Sequence, residues 1–219
     1  MKQKLKVWDL PTRIFHWTLA ASIVFMWYSA ETGGSWLEWH LRAGLLVLGL
    51  IIFRICWGFF GSDTAKFSHF VRGPSQIIRY TQGKISENEQ PGHNPVGALM
   101  VLALLAAVAF QVTTGLFAAD ENTFVNNGYL NSLVSEETGS TTRRIHILFF
   151  NILAGLAGIH IATILIYKFV KKHNLITPMI TGYKYLEGKL PVLNFAGIGK
   201  LIAAIAAAAV TVIIVTQIG

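Results

Sequence analysis

The sequence predicts an all-α integral membrane protein, and three observations carry that expectation. Of its 219 residues, 53% are hydrophobic and 13% are charged, where a soluble domain carries about 25% charge. Mean hydropathy is +0.51, and a soluble globule of this size has no interior large enough for so much apolar surface. The apolar residues also gather into runs of membrane-spanning length, while the charges collect between them. With 6 Pro, 20 Gly and one Cys, collagen-like, disordered and disulfide-stapled classes are excluded.

A bilayer core takes roughly 20 apolar residues of helix, because each residue rises about 1.5 Å. Five stretches qualify: Ile14 to Ala30, Trp39 to Phe60, Asn94 to Ala119, Ile145 to Tyr167, and Leu201 to Gly219. The first and third carry no charge, and the second holds Arg42 near its start and Arg54 near its end. The even alternation of a membrane barrel is absent, so helices are expected. No internal repeat separates the chain into parts. Residues 1–219 are expected to form one transmembrane domain, with a core of about 5–185 and an additional helix over about 196–219.

The loops set the expected orientation. An N-terminus in the cytoplasm puts Lys2, Lys4, Lys6 and Arg13 inside. It also puts Arg54, Lys66, Arg72, Arg79 and Lys84 there, with Lys168, Lys171, Lys172, Lys184, Lys189 and Lys200. Arg42, Arg143 and Arg144 stay outside with Glu31, Glu38, Asp120, Glu121, Glu136 and Glu137. That asymmetry follows the positive-inside rule and predicts a periplasmic C-terminus. It also accounts for the net charge of +7 without nucleic acid as a partner. A cleaved signal peptide is the rival reading of the first run. Its length, the late aromatics Phe25, Trp27 and Tyr28, and the lack of an A-x-A site argue against cleavage.

Ionisable or ligating side chains inside a membrane are costly, which makes each one a functional candidate. Four of the seven His lie in spans: His16, His40, His146 and His160. His146 and His160 are fourteen residues apart on one helix, about 40° short of four full turns. They therefore share a face, roughly 21 Å apart along the axis. His16 enters its helix from the inner side at the depth of His160, and His40 opens its helix at the outer level of His146. Antiparallel helices thus offer one His–His pair at each of two levels. A single such His is ordinarily a polar residue bonded to a neighbouring helix, but the matched set is harder to read that way.

Two facing imidazoles suit a six-coordinate haem iron. Zinc competes, but it usually takes four tetrahedral ligands, and no Cys or carboxylate accompanies either pair within the spans. The lone Cys56 reads as a small buried hydrophobe. The chain has no C-x-x-C-H, so any haem is held without thioether bonds. Gly44, one turn after His40, and Gly155 and Gly158 near His160 would let a flat macrocycle approach the backbone; close helix packing is the plainer explanation of each. Arg54 follows His40 by fourteen residues and shares its face, where a haem propionate would partner it; the plainer alternative is snorkelling to headgroups. Arg13 beside His16, and Arg143 and Arg144 beside His146, carry the same two readings.

These residues, with the phrases Val7-Trp8-Asp9-Leu10-Pro11-Thr12-Arg13-Ile14-Phe15-His16-Trp17, His40-Leu41-Arg42-Ala43-Gly44 and Gly92-His93-Asn94-Pro95-Val96-Gly97, resemble the prokaryotic cytochrome b561 family. The family includes b-type subunits of nickel-iron hydrogenases and the membrane superoxide oxidase. The resemblance covers about residues 5–185. It implies a four-helix haem-binding bundle with two haem b groups, one ligated by His16 and His160, the other by His40 and His146. It also implies electron exchange between the quinone pool, ubiquinone or menaquinone, and a redox partner: a periplasmic cytochrome, an associated oxidoreductase or superoxide. The fifth helix is not part of that core, and its small residues offer a packing or partner face.

His69 and His173 read as solvated loop residues. His93 has a proton-relay reading beside the plainer one of helix-entry structure. Gln111, Thr113 and Thr114 are expected to bond helix to helix, without chemistry. The outer acidic residues attract a basic soluble cytochrome in one reading and form a wet loop in the other. The expected function is single-electron transfer across a bacterial inner membrane. A small transporter or a proton or metal-ion channel using these histidines is the alternative, and an anchor subunit that conducts nothing is the third reading.

Overall fold

The computed structural model describes residues 2–85, 91–120 and 126–218. Glu121 and Gly219, the latter the expected end of the fifth span, lie outside the described residues. Strand β1 (Lys2–Lys6) precedes α1 (Leu10–Thr32) and α2 (Trp36–Phe60). The short helices α3 (Phe67–Phe70) and α4 (Pro74–Thr81) follow, then the long helices α5 (Pro95–Phe117) and α6 (Glu136–Phe169). The chain continues through α7 (Ile176–Thr181), strand β2 (Tyr183–Glu187) and α8 (Ile198–Ile218). Each expected apolar stretch coincides with one of the five long helices.

Four helices, α2, α5, α6 and α8, are long and apolar enough to cross a membrane. Helix α1 has 23 residues, but Arg13, His16, Trp17, Trp27 and Tyr28 dilute its apolar character below that of the other four. Helix α6 begins more than two turns before the apolar run at Ile145. Ser135 caps it by accepting the Thr138 N–H at 3.3 Å, and Glu136 and Glu137 occupy its first turn, where negative charge favours the helix dipole. An apolar window cannot register those polar turns.

The fold also contains a small sheet that an all-α expectation omits. Strand β1 pairs antiparallel with β2, Lys4 opposite Tyr185 and Gln3 opposite Leu186. The period-two pattern Lys2-Gln3-Lys4-Leu5-Lys6 keeps the three lysines on one face, while Leu186 is buried. Tertiary pairing, 180 residues away along the chain, converts a charged flank into a strand.

Two compact units are present. The first comprises Met1–Phe15, Arg54–Ala103 and Leu156–Ala203, and the second His16–Phe53, Leu104–Gly155 and Ala204–Gly219.

In the first unit the segment entering α1 is locked from several sides. Asp9 Oδ1 accepts the Thr12 N–H at 2.8 Å, satisfying a donor that the helix start leaves unpaired. Its other oxygen accepts the Trp57 indole N–H at 2.9 Å. Thr64 donates to the Val7 carbonyl at 2.6 Å, and the Gly182 carbonyl accepts from the Val7 N–H at 2.8 Å. Gly182 ends α7 at φ 87°, and a Cβ there would stand 2.8 Å from the Trp8 carbonyl oxygen. Only glycine meets both demands. Further along, buried Asp63 accepts from the Asn194 N–H at 2.9 Å and from Asn194 Nδ2 at 3.1 Å, fastening the approach to α8.

In the second unit α8 buries Ala204, Ala208 and Val215. Val212 of α8 lies 3.4 Å from where a Cβ on Gly49 of α2 would be. The small residues of α8 therefore serve helix packing.

Candidate functional site

The second unit holds a site built from α1, α2, α5 and α6. Gly33 and Gly34 turn α1 back into α2 at φ 67° and 57°, a conformation that β-carbon-bearing residues rarely adopt. The turn brings the end of α1 beside His40, and His40 Nδ1 lies 2.9 Å from the Met26 carbonyl oxygen. On the opposite pair of helices, His146 Nδ1 lies 2.9 Å from the Gln111 carbonyl oxygen. A carbonyl only accepts, so each Nδ1 carries the proton and each Nε2 keeps its lone pair. Donation of the second ring N–H to a backbone carbonyl is the usual support of a metal-ligating histidine.

The two rings face one another. Their centroids are 6.2 Å apart and their planes 82° from parallel. Two imidazoles bound end-on to one first-row metal ion, with bonds of about 2.0 Å and about 1.1 Å from nitrogen to ring centre, hold their centroids about 6 Å apart. Both rings line a cavity of about 440 Å³, shared with Gly44, Val47, Val108 and Leu153, within the range of about 300–1,000 Å³ common to small-molecule sites. Among the described residues no group of three or more His, Cys, Asp or Glu forms a metal cage. The residues present thus fit a group that His40 and His146 would hold through their Nε2 atoms, such as a haem.

Gln111 holds His146 from two directions. Its backbone carbonyl takes the ring N–H, and its side-chain amide donates to the His146 carbonyl at 2.9 Å. Gln111 Oε1 is buried with no hydrogen-bond partner among the described residues. Gly115 gives the imidazole room, since a Cβ there would stand 2.9 Å from His146 Cε1. By contrast, a Cβ at Gly155 or Gly158 would meet nothing within 4 Å, and one at Gly44 meets only the end of Met26 at 3.7 Å.

The charged candidates divide. Arg143, also on the cavity wall, pairs with Asp120 at 2.9 Å. Arg144 is exposed. Arg42 is exposed too and pairs with Glu38 one turn earlier. In the first unit Arg54 is 2% exposed. Its guanidinium carbon lies 5.1 Å from the Phe67 ring centre, and its Nη1 has no hydrogen-bond partner among the described residues. A buried cation with an unused donor is the kind of group that takes an anionic ligand. Arg13 donates to the Ile180 carbonyl, so it braces α7.

His160, in α6, belongs to the first unit and His16, in α1, to the second. The His16 ring stands edge-on to Trp17, with centroids 5.1 Å apart. The His93 ring lies between those of Trp8 and Phe70, tilted against both, with centroids 4.7 and 4.8 Å away, which ties the start of α5 to the locked N-terminal segment. The sequence reading assigned no role to Asp9, Ser29 or Gly115, and treated Gln111 and Thr114 as general helix bonding. Their roles depend on which helix lies opposite.

The helices and the site together define a multi-pass membrane protein with imidazoles from different helices facing one another. A family model described as prokaryotic cytochrome b561 matches residues 7–182. The chain belongs to that family, which makes it a membrane b-type cytochrome of electron transfer. No curated protein and no solved structure matches the chain.

Proposed function

We propose that the protein is a dihaem cytochrome that carries single electrons across the bacterial inner membrane between the quinone pool and a redox partner. The observation that supports it best is the His40–His146 pair, with both Nδ1 atoms committed to backbone carbonyls and the two rings 6.2 Å apart. A haem held by two such imidazoles would supply a one-electron couple, which suits electron transfer.

The chain's own residues do the rest. His40 and His146 hold one haem through Nε2, and His16 and His160 hold the second. Arg54, with its unused donor, anchors a propionate. Gly44 leaves space against the ring, and Arg143, Arg144 and Arg13 contribute positive potential near the two centres. The apolar wall of Val47, Val108 and Leu153 excludes water and favours fast electron exchange over side reactions. Helix α1 crosses with the other four, which puts the lysines of β1 in the cytoplasm and the end of α8 in the periplasm. The redox partner is a periplasmic cytochrome, an associated oxidoreductase or superoxide. A quinone, ubiquinone or menaquinone, exchanges electrons at the other end.

Haem counting on the purified protein and on four histidine variants tests this. The expected result is red protein with two haems per chain and a reduced spectrum typical of bis-His haem b. His40→Ala and His146→Ala should each lose the same haem, and His16→Ala and His160→Ala the other. Colourless, folded wild-type protein would overturn the reading in favour of a transporter.

A further inference from the structure

Both imidazoles of the facing pair meet a backbone carbonyl and a hydroxyl three residues further on. His40 Nδ1 meets the Met26 carbonyl at 2.9 Å and Ser29 Oγ at 3.3 Å. Ser29, three residues after Met26, donates its hydroxyl to that same carbonyl at 3.1 Å. His146 Nδ1 meets the Gln111 carbonyl at 2.9 Å and Thr114 Oγ1 at 3.2 Å. Thr114, three residues after Gln111, shares its hydroxyl proton between that same carbonyl at 2.9 Å and the Phe110 carbonyl at 3.1 Å. Two helices of unrelated sequence thus present a carbonyl and, three residues later, a hydroxyl to each ring. Ser29 is fully buried and Thr114 is 6% exposed, so neither hydroxyl exchanges its partner for bulk water.

We propose that the hydroxyls of Ser29 and Thr114 set the reduction potential of the centre held by His40 and His146, by competing with the imidazole N–H groups for two shared carbonyl oxygens. The proposal rests on the haem reading above. A carbonyl oxygen has two lone pairs, and each donor it accepts lowers its attraction for the next. The stronger the hydrogen bond from Nδ1–H, the more basic the ring becomes at Nε2, and a more basic axial ligand favours the oxidised, more positive metal. A hydroxyl that takes part of the carbonyl therefore holds the ring less basic and the potential higher. Ser29 and Thr114 are positioning residues, since neither reaches the metal-binding nitrogens. The matching geometry on both rings makes the two contributions alike in sign.

The test is potentiometric titration of the purified holoprotein, followed by visible absorption, on Ser29→Ala and Thr114→Val with Ser29→Thr and Thr114→Ser as hydroxyl-retaining controls. The expected result is two haems per chain in every variant. One of the two centres should shift to lower potential in Ser29→Ala and in Thr114→Val, by at least a threefold change in its reduction equilibrium. At 59 mV per tenfold for one electron, that is about 28 mV. The second centre and both controls should stay at wild-type values. Retained haem with an unchanged or raised potential would overturn the proposal and leave the haem reading intact. Loss of haem from Ser29→Ala or Thr114→Val would overturn it too, because the hydroxyl would then build the site rather than tune it. Wild-type protein without haem would bring down the reading beneath it.

Discussion

Gly115 of α5 lies so close beneath His146 of α6 that a Cβ would come within 2.9 Å of the imidazole Cε1 and 3.2 Å of Nδ1. No real β-carbon tolerates that approach, so Gly115→Ala must push the ring away. The displacement would break the 2.9 Å bond to the Gln111 carbonyl. On the proposed dihaem reading, loss of one haem per chain is expected, read by haem-to-protein ratio. Gly155→Ala, which meets open space, should keep both.

Asp9 closes the start of α1 and accepts the Trp57 indole. Asp9→Ala removes a helix cap and strands a buried N–H, at a cost of about 2–4 kcal/mol. A lower thermal midpoint in detergent and an altered Trp fluorescence should report it. Asp9→Asn keeps one acceptor and should recover part of the loss.

Arg54 should behave oppositely with and without haem. A buried guanidinium with an N–H left unbonded, only in part offset by the Asp9 carboxylate, costs stability, and an apolar side chain of similar reach relieves it. Arg54→Met should therefore raise the thermal midpoint of haem-free protein. On the proposal that Arg54 anchors a propionate, the same change in the loaded protein removes a positive charge that disfavours the oxidised centre. Haem should dissociate more readily and one midpoint potential should fall.

Burial alone would raise the Asp63 carboxyl, but hydrogen bonds from Asn194 and Lys66, with the Lys66 charge, outweigh it and hold the pKa below the usual value. A depressed carboxylate adds stability that is fully present above its unfolded pKa of about 3.9 and is lost as pH falls through the folded value. Lowering the pH through that depressed folded value should free the segment at Asn194, read as faster proteolysis before α8. Asp63→Asn should show that susceptibility already at neutral pH.

The long apolar helices were legible in the sequence because hydropathy and helical pitch are local quantities. Fourteen residues between His146 and His160 fix their shared face whatever surrounds them. His40 and His146 could be matched by level, and the structure brings their rings together. The carbonyl of Met26, the amide of Gln111 and the clearance at Gly115 were not legible, because each acts on a histidine of another helix. Strand β1 was hidden for a related reason: Lys2–Lys6 reads as a charged flank until β2 lies beside it. Arg143 illustrates the limit from another side. Its position beside His146 was plain, yet its pairing with Asp120 depends on how the chain after α5 returns.

The amino-acid order by itself determined that this chain belongs in a bilayer, where its long helices fall, and that His146 and His160 share a helix face. Those follow from solvent transfer and helical pitch, which need no neighbour. The tertiary structure alone decided which ring nitrogen is free, which charge is already paired, and where a hydroxyl contests a carbonyl. Such outcomes turn on ångström-scale distances between helices, and no periodicity in one segment encodes them.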